Sequence, residues 1–145
     1  MKTYNKFFVM LFWGVFISST CYSQNTKQLV KITNLEKVKG TLYVGWYKTP
    51  ATFRMNEQAI YRKKVSVNNQ AEVHVSFKHI PKGKYAIAVF LDENDNYNLD
   101  KNFLGVPKEK YGFSNNVIPL IRPASFDESS FQLNQNEMAI NIVLK

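Results

Sequence analysis

Residues 83–100 read GKYAIAVFLDENDNYNLD, and two chemistries meet inside them. In the first half Tyr85, Ile87, Val89 and Leu91 alternate with Ala86, Ala88 and Phe90. A period of two, rich in aromatic and β-branched residues, marks a strand with one face in a core. The turn Ile80-Pro81-Lys82-Gly83 leads straight into it, with Pro and Gly shaping the bend. Tyr85 then enters the strand. Its ring can be buried while its hydroxyl returns to the backbone just upstream, as in the tyrosine corner of sandwich folds.

The same alternation recurs at Leu42, Val44 and Trp46, at Val73, Val75 and Phe77, and at Met138, Ile140, Ile142 and Leu144. Shorter strand signals lie at 28–34, 60–67 and 129–133, and no segment sustains a helical period. Turn residues separate the strands at Lys39-Gly40 and Asn68-Asn69. About seven short strands with such turns point to an all-β, antiparallel two-sheet sandwich, immunoglobulin-like or prealbumin-like, with a small closed barrel as the alternative. Tyr43, Trp46 and Tyr47 fit sheet packing better than a sugar-stacking platform.

Upstream of these strands the chain reads as a leader. Lys2 and Lys6 precede an apolar run of 11 residues, Phe7 to Ile17, and then the small and polar SSTCYSQ. This is the layout of a secretory signal over 1–23, cut before Gln24, with a single β-sandwich domain over 24–145. The run is too short to span a bilayer, which needs about 20 apolar residues. The rival reading makes Cys21 a lipid anchor, although Ser18-Ser19-Thr20 fits that pattern loosely. Cys21 is the only cysteine, so an exported domain would be held by its core without disulfides. The net charge of +8 is spread along the chain. It suits a solvated surface, or attraction to an acidic polymer or anionic head groups. No nucleic-acid motif accompanies it.

The second half of the opening stretch carries oxygens. Asp92, Asn94, Asn96, the Asn98 carbonyl and Asp100 stand where a calcium loop places its ligands at positions 1, 3, 5, 7 and 9. Position 6 is Tyr97 and position 12 is Phe103, where such loops carry Gly and a bidentate Glu. Glu109 or Asp127 is then the expected extra carboxylate. The competing reading is a set of Asx turns that satisfies the backbone without metal. The whole connection from 92 to 116 is long for a loop without strands. Its Phe103, Leu104, Val106, Tyr111 and Phe113 argue for a packed structure.

No enzyme constellation stands out. His74 falls on the solvent face of its strand, and Ser114 has no visible partners. A glycan hydrolase would need two carboxylates facing each other across a cleft.

Residues 83–116, through the element YGFSNN, resemble the central signature of small exported bacterial proteins catalogued as domain of unknown function 2141. KGTLYVGWY and PASFDESSFQL are similar to that family as well. The resemblance implies an exported bacterial β-sandwich, with Ser-Gln at the cleavage point looking typical of the Bacteroidetes, and it implies no activity.

The expectation is therefore a non-enzymatic exported module, periplasmic or extracellular. Calcium would be held by Asp92, Asn94, Asn96, Asn98 and Asp100. Glu109, Tyr111, Gly112, Phe113, Ser114, Asn115 and Asn116 would form a surface for a ligand, an envelope protein or an extracellular polymer. The alternative is a structural component of the envelope without metal.

Overall fold

The computed structural model describes residues 26–145; the expected leader at 1–23 and Cys21 lie outside the described residues. The strands are β1 (Lys27–Thr33), β2 (Lys39–Tyr47), β3 (Tyr61–Asn68), β4 (Glu72–Lys78), β5 (Gly83–Asp92), β6 (Tyr111–Phe113), β7 (Ser130–Leu133) and β8 (Glu137–Val143). Helical structure among the described residues amounts to one α turn, α1 (Phe126–Ser129), and 3-10 turns at Asn56–Gln58 and Ser114–Asn116. None of these is long and apolar enough to cross a membrane.

One sheet runs β4-β1-β8. The other runs β3-β2-β5-β6, with β7 pairing the first residues of β5. The all-β sandwich expectation holds, with two differences. The pairing of β1 with β8 is parallel; all other strand pairs are antiparallel. An eighth strand, β6, also lies inside the segment expected to be loop. Three residues are too few to display a period of two, so only tertiary pairing reveals it.

The alternating residues meet between the sheets. Val30 and Ile32, Leu42, Val44 and Trp46, Val73, Val75 and Phe77, Ile87, Val89 and Leu91, and Ile140 and Ile142 are all buried there. The Trp46 ring lies 5.5 Å from Phe77, 5.7 Å from Tyr85 and 5.6 Å from Phe131, in the tilted and edge-on geometries that aromatic quadrupoles favour. The Tyr85 hydroxyl donates to the Pro81 carbonyl at 2.9 Å. This is the expected corner, and it fixes how the chain enters β5.

The outer face of the larger sheet is also covered. Tyr47, Phe53, Ala86, Phe113, Ala124 and Phe126 form a second buried cluster there. β6 closes against the C-terminus. The Tyr111 N–H donates to the Lys145 carbonyl at 3.0 Å, and the Lys145 N–H donates back at 2.9 Å. Gly112 faces inward, where an added Cβ would come within 2.9 Å of Ile142 Cγ2.

Replacing Tyr85 by Phe keeps the ring and removes the corner bond, so the urea midpoint should fall by the equivalent of about 1 kcal/mol. An unchanged midpoint would show that the corner contributes nothing.

Candidate functional site

Asp92 ends β5 with its side chain fully buried. One carboxylate oxygen accepts from the Asn96 N–H at 3.2 Å, and the other from the Tyr97 N–H at 2.8 Å. These bonds curl residues 92–97 into a closed turn. Asp95 and Tyr97 take the left-handed conformation within it (φ 60° and 67°). Tyr97, at the position where calcium loops carry Gly, thus adopts a backbone that is costly for a bulky residue. Its ring meets Tyr43 edge-on at 6.4 Å, and Lys64 Nζ lies 4.9 Å from the Tyr43 ring centre and 5.0 Å from that of Tyr97.

The remaining loop oxygens are also engaged. The Asn94 and Asn96 side-chain oxygens accept the N–H groups of Asn96 (3.2 Å) and Asn98 (2.8 Å). Their amide nitrogens each donate to Asp100 at 2.8 Å. Glu109 is buried and accepts from the N–H groups of Glu93 (2.9 Å) and Asp100 (2.8 Å). The expected ligands thus gather on one turn, linked by the Asx bonds of the competing reading. No group of three or more His, Cys, Asp or Glu converges as a metal site among the described residues. Asp127 is elsewhere, paired with Lys84 at 2.8 Å.

The YGFSNN element is divided between two roles. Tyr111 and Phe113 point to the outer face of the larger sheet, and Gly112 points to the core. Ser114 is buried; its hydroxyl accepts from the Ile87 N–H at 2.8 Å and donates to the Ser129 carbonyl. The Asn115 amide donates to the carbonyls of Glu128 (3.1 Å) and Ser130 (2.9 Å). Asn116 accepts from the Val143 N–H at 2.8 Å and donates to the Asn141 carbonyl at 3.2 Å. These polar residues tie β5, β7 and β8 together behind the surface.

Above Tyr111 and Phe113 lies a cleft of about 700 Å³. Tyr43, Phe90 and Ala88 complete its floor, with Tyr43 stacked on Phe90 at 4.8 Å. One wall comes from the segment 97–107 and the other from 119–123. The first wall is a tight tip: the Asn102 side chain accepts the N–H groups of Leu104 and Val106, each at 3.0 Å. The second is clamped where Arg122 grips Glu128 through bonds of 2.8 and 2.7 Å. Glu128 also closes the capping box that starts α1 at Ser125.

The expected packed structure of this segment is found at Tyr111 and Phe113 but not at Phe103, Leu104 and Val106. The structure turns them outward: Phe103 is 94% and Leu104 72% exposed, as are Leu120 (101%) and Ile121 (98%) on the opposite wall. Backbone bonds from Asn102 to Val106 and from Gly105 to Asn102, with the Asn102 side chain and the Lys101–Pro107 bridge, hold the tip without using these side chains. Arg54, Lys101 and Arg122 supply the charge in the cleft lining, which contains no Asp or Glu. The signal available in the sequence was the pair of Pro-punctuated apolar runs, FLGVP and VIPLIRP.

Two packed sheets with a loop-walled cleft on one outer face define a small β-sandwich. The chain belongs to the bacterial family described as "Uncharacterized protein conserved in bacteria (DUF2141)", whose model matches residues 30–141. No curated protein and no solved structure matches it.

Truncating Asp92 to Ala would strip the buried turn of the Tyr97 N–H acceptor and leave the Asn96 N–H with Asn94 alone, costing about 2 kcal/mol; a urea midpoint equal to wild type would contradict this. The Arg122 guanidinium foremost, and then Ser125, hold the Glu128 carboxyl well below its ordinary value of 4.5. Stabilisation from a depressed carboxyl is full above the unfolded-state value and is lost as pH falls through the folded one. The stability difference between wild type and Glu128→Gln should therefore be constant above pH 4.5 and shrink below it. A difference that is flat through that acid range would refute the clamp.

Proposed function

We propose that this protein is a non-catalytic binding module, exported to the periplasm or the cell exterior, whose ligand site is the cleft walled by 97–107 and 119–123. One observation carries the reading: the large apolar residues Leu104, Leu120 and Ile121 stand exposed around a concave site of about 700 Å³. That volume lies within the range of about 300–1,000 Å³ typical of small-molecule sites. Contiguous exposed apolar surface on a soluble domain marks a place of contact. The lining carries no carboxylate pair for glycoside chemistry. The leader pattern at 1–23 supports export.

Calcium is proposed as a brace for the loop that forms the first wall. Asp92 is fully buried and makes no salt bridge among the described residues, and buried carboxylates are normally paired or metal-bound. Its bonds to the fifth and sixth N–H groups of the loop, and the left-handed Tyr97, suit a chain curled around an ion. Asp92, Asn94, Asn96, Asp100 and the Asn98 carbonyl would hold it after the two Asn amides rotate, with Glu109 alongside. The Asx bonds already present favour a second reading, a metal-free structural component of the envelope.

Two measurements test these readings. An uncharged apolar dye such as N-phenylnaphthylamine should brighten on the wild-type protein and lose most of that signal on Leu104→Ser/Leu120→Ser; a dark wild type would remove the binding-module reading. A calcium site of roughly 10⁻⁴ M affinity, at ten times that concentration, should add about 1.4 kcal/mol and raise the melting midpoint by several degrees. Magnesium and the Asp92→Ala variant should show no such rise. An unchanged wild-type midpoint would leave the loop a metal-free turn.

A further inference from the structure

We infer that the cleft takes a single-chain anionic amphiphile of the fatty-acid type, with its hydrocarbon on the aromatic floor and its carboxylate at Arg54 and Lys101. This assignment rests on the reading of the cleft as a ligand site and adds the chemistry of the ligand. The floor is apolar: Tyr43 and Phe90 are stacked face to face, with Tyr111 and Phe113 beside them. The Tyr47 phenol at its edge, uncharged at neutral pH as any tyrosine is, is pushed further up by burial, to about 12. Leu104, Leu120 and Ile121 extend the apolar surface upward along both walls.

The charge in the lining is one-sided. Arg54, Lys101 and Arg122 contribute it, and no acidic residue opposes them. Arg122 is neutralised by Glu128 at 2.7 Å. Arg54 and Lys101 are exposed and form no salt bridge among the described residues. An uncharged apolar ligand would leave both cations unused, and a cationic one would be repelled. A bilayer face needs apolar tips alone, whereas here the tips flank a cleft of single-ligand size.

The experiment is displacement of N-phenylnaphthylamine from the protein expressed from its full-length sequence, using dodecanoate below its micelle concentration. Dodecanoate should displace the dye, and decanoate should bind on the order of tenfold more weakly, since each buried methylene contributes about a fourfold change. Arg54→Glu/Lys101→Glu changes only exposed side chains and should weaken dodecanoate by about tenfold or more relative to the dye affinity of the same variant. Dodecyltrimethylammonium should displace the dye far less well. Equal displacement by the cationic chain, or no effect of the double charge reversal, would overturn the assignment. So would dye release by anionic phosphatidylglycerol vesicles but not by monomeric dodecanoate, which would make the surface a membrane face. Dye release that tracks dimer formation would also overturn it, making the cleft a contact between copies. Dye binding without any dodecanoate displacement sinks this inference alone, whereas absence of dye binding sinks the binding-module reading with it.

Discussion

Strand β5 has to bury both of its faces, and the rest of the structure follows from that constraint. Tyr85, Ile87, Val89 and Leu91 face the smaller sheet, while Ala86 and the half-buried Ala88 and Phe90 face outward. An antiparallel sheet can leave one face to water. This sheet does not, because Tyr47 and Phe113 lie on that face and gather Phe53 and Phe126 around them. The chain between β5 and β7 must then travel over the outer face. The cleft is the part of that face where the two crossing segments fail to meet.

Polar side chains rather than apolar ones decide where the crossing segments sit. Asp92, Asn102 and Glu109 gather backbone N–H groups of the first segment. Arg122 and Glu128 pin the second. The walls are thereby set without packing Leu104, Leu120 or Ile121, which stay exposed. Gly40 contributes at the base. Its φ of 147° and the Asp92 carbonyl beside it leave no room for a Cβ, so β2 can start hard against the point where the loop departs.

The sandwich was legible because its strands are long enough to show a period of two with aromatic punctuation. The corner at Tyr85 was legible because Pro81, Gly83 and Tyr85 act through local geometry. β6 was not, being three residues long and defined by partners far away in sequence. The polar turn was visible as a row of oxygens at Asp92, Asn94, Asn96 and Asp100, but spacing is the same for an ion and for Asx bonds. The cleft was visible only in part: Tyr111 and Phe113, expected on a ligand surface, line its floor, while the walls went unread. Its floor comes from alternate residues of β2, β5 and β6, and its walls from Leu104 and Leu120. In sequence, apolar residues in a loop look the same whether they pack inward or project: Tyr111 and Phe113 pack, and Phe103, Leu104 and Val106 project.

Native-state amide hydrogen exchange tests most directly the claim that a two-faced β5 supports a cleft held by local polar ties. Val44, Ile87 and Val89 should exchange only through global unfolding. Amides of 97–107 and 119–123 should open at much lower free energy, with those bonded to Asn102 slower than their neighbours. Wall amides as slow as β5, or β5 amides that open together with the walls, would contradict the account.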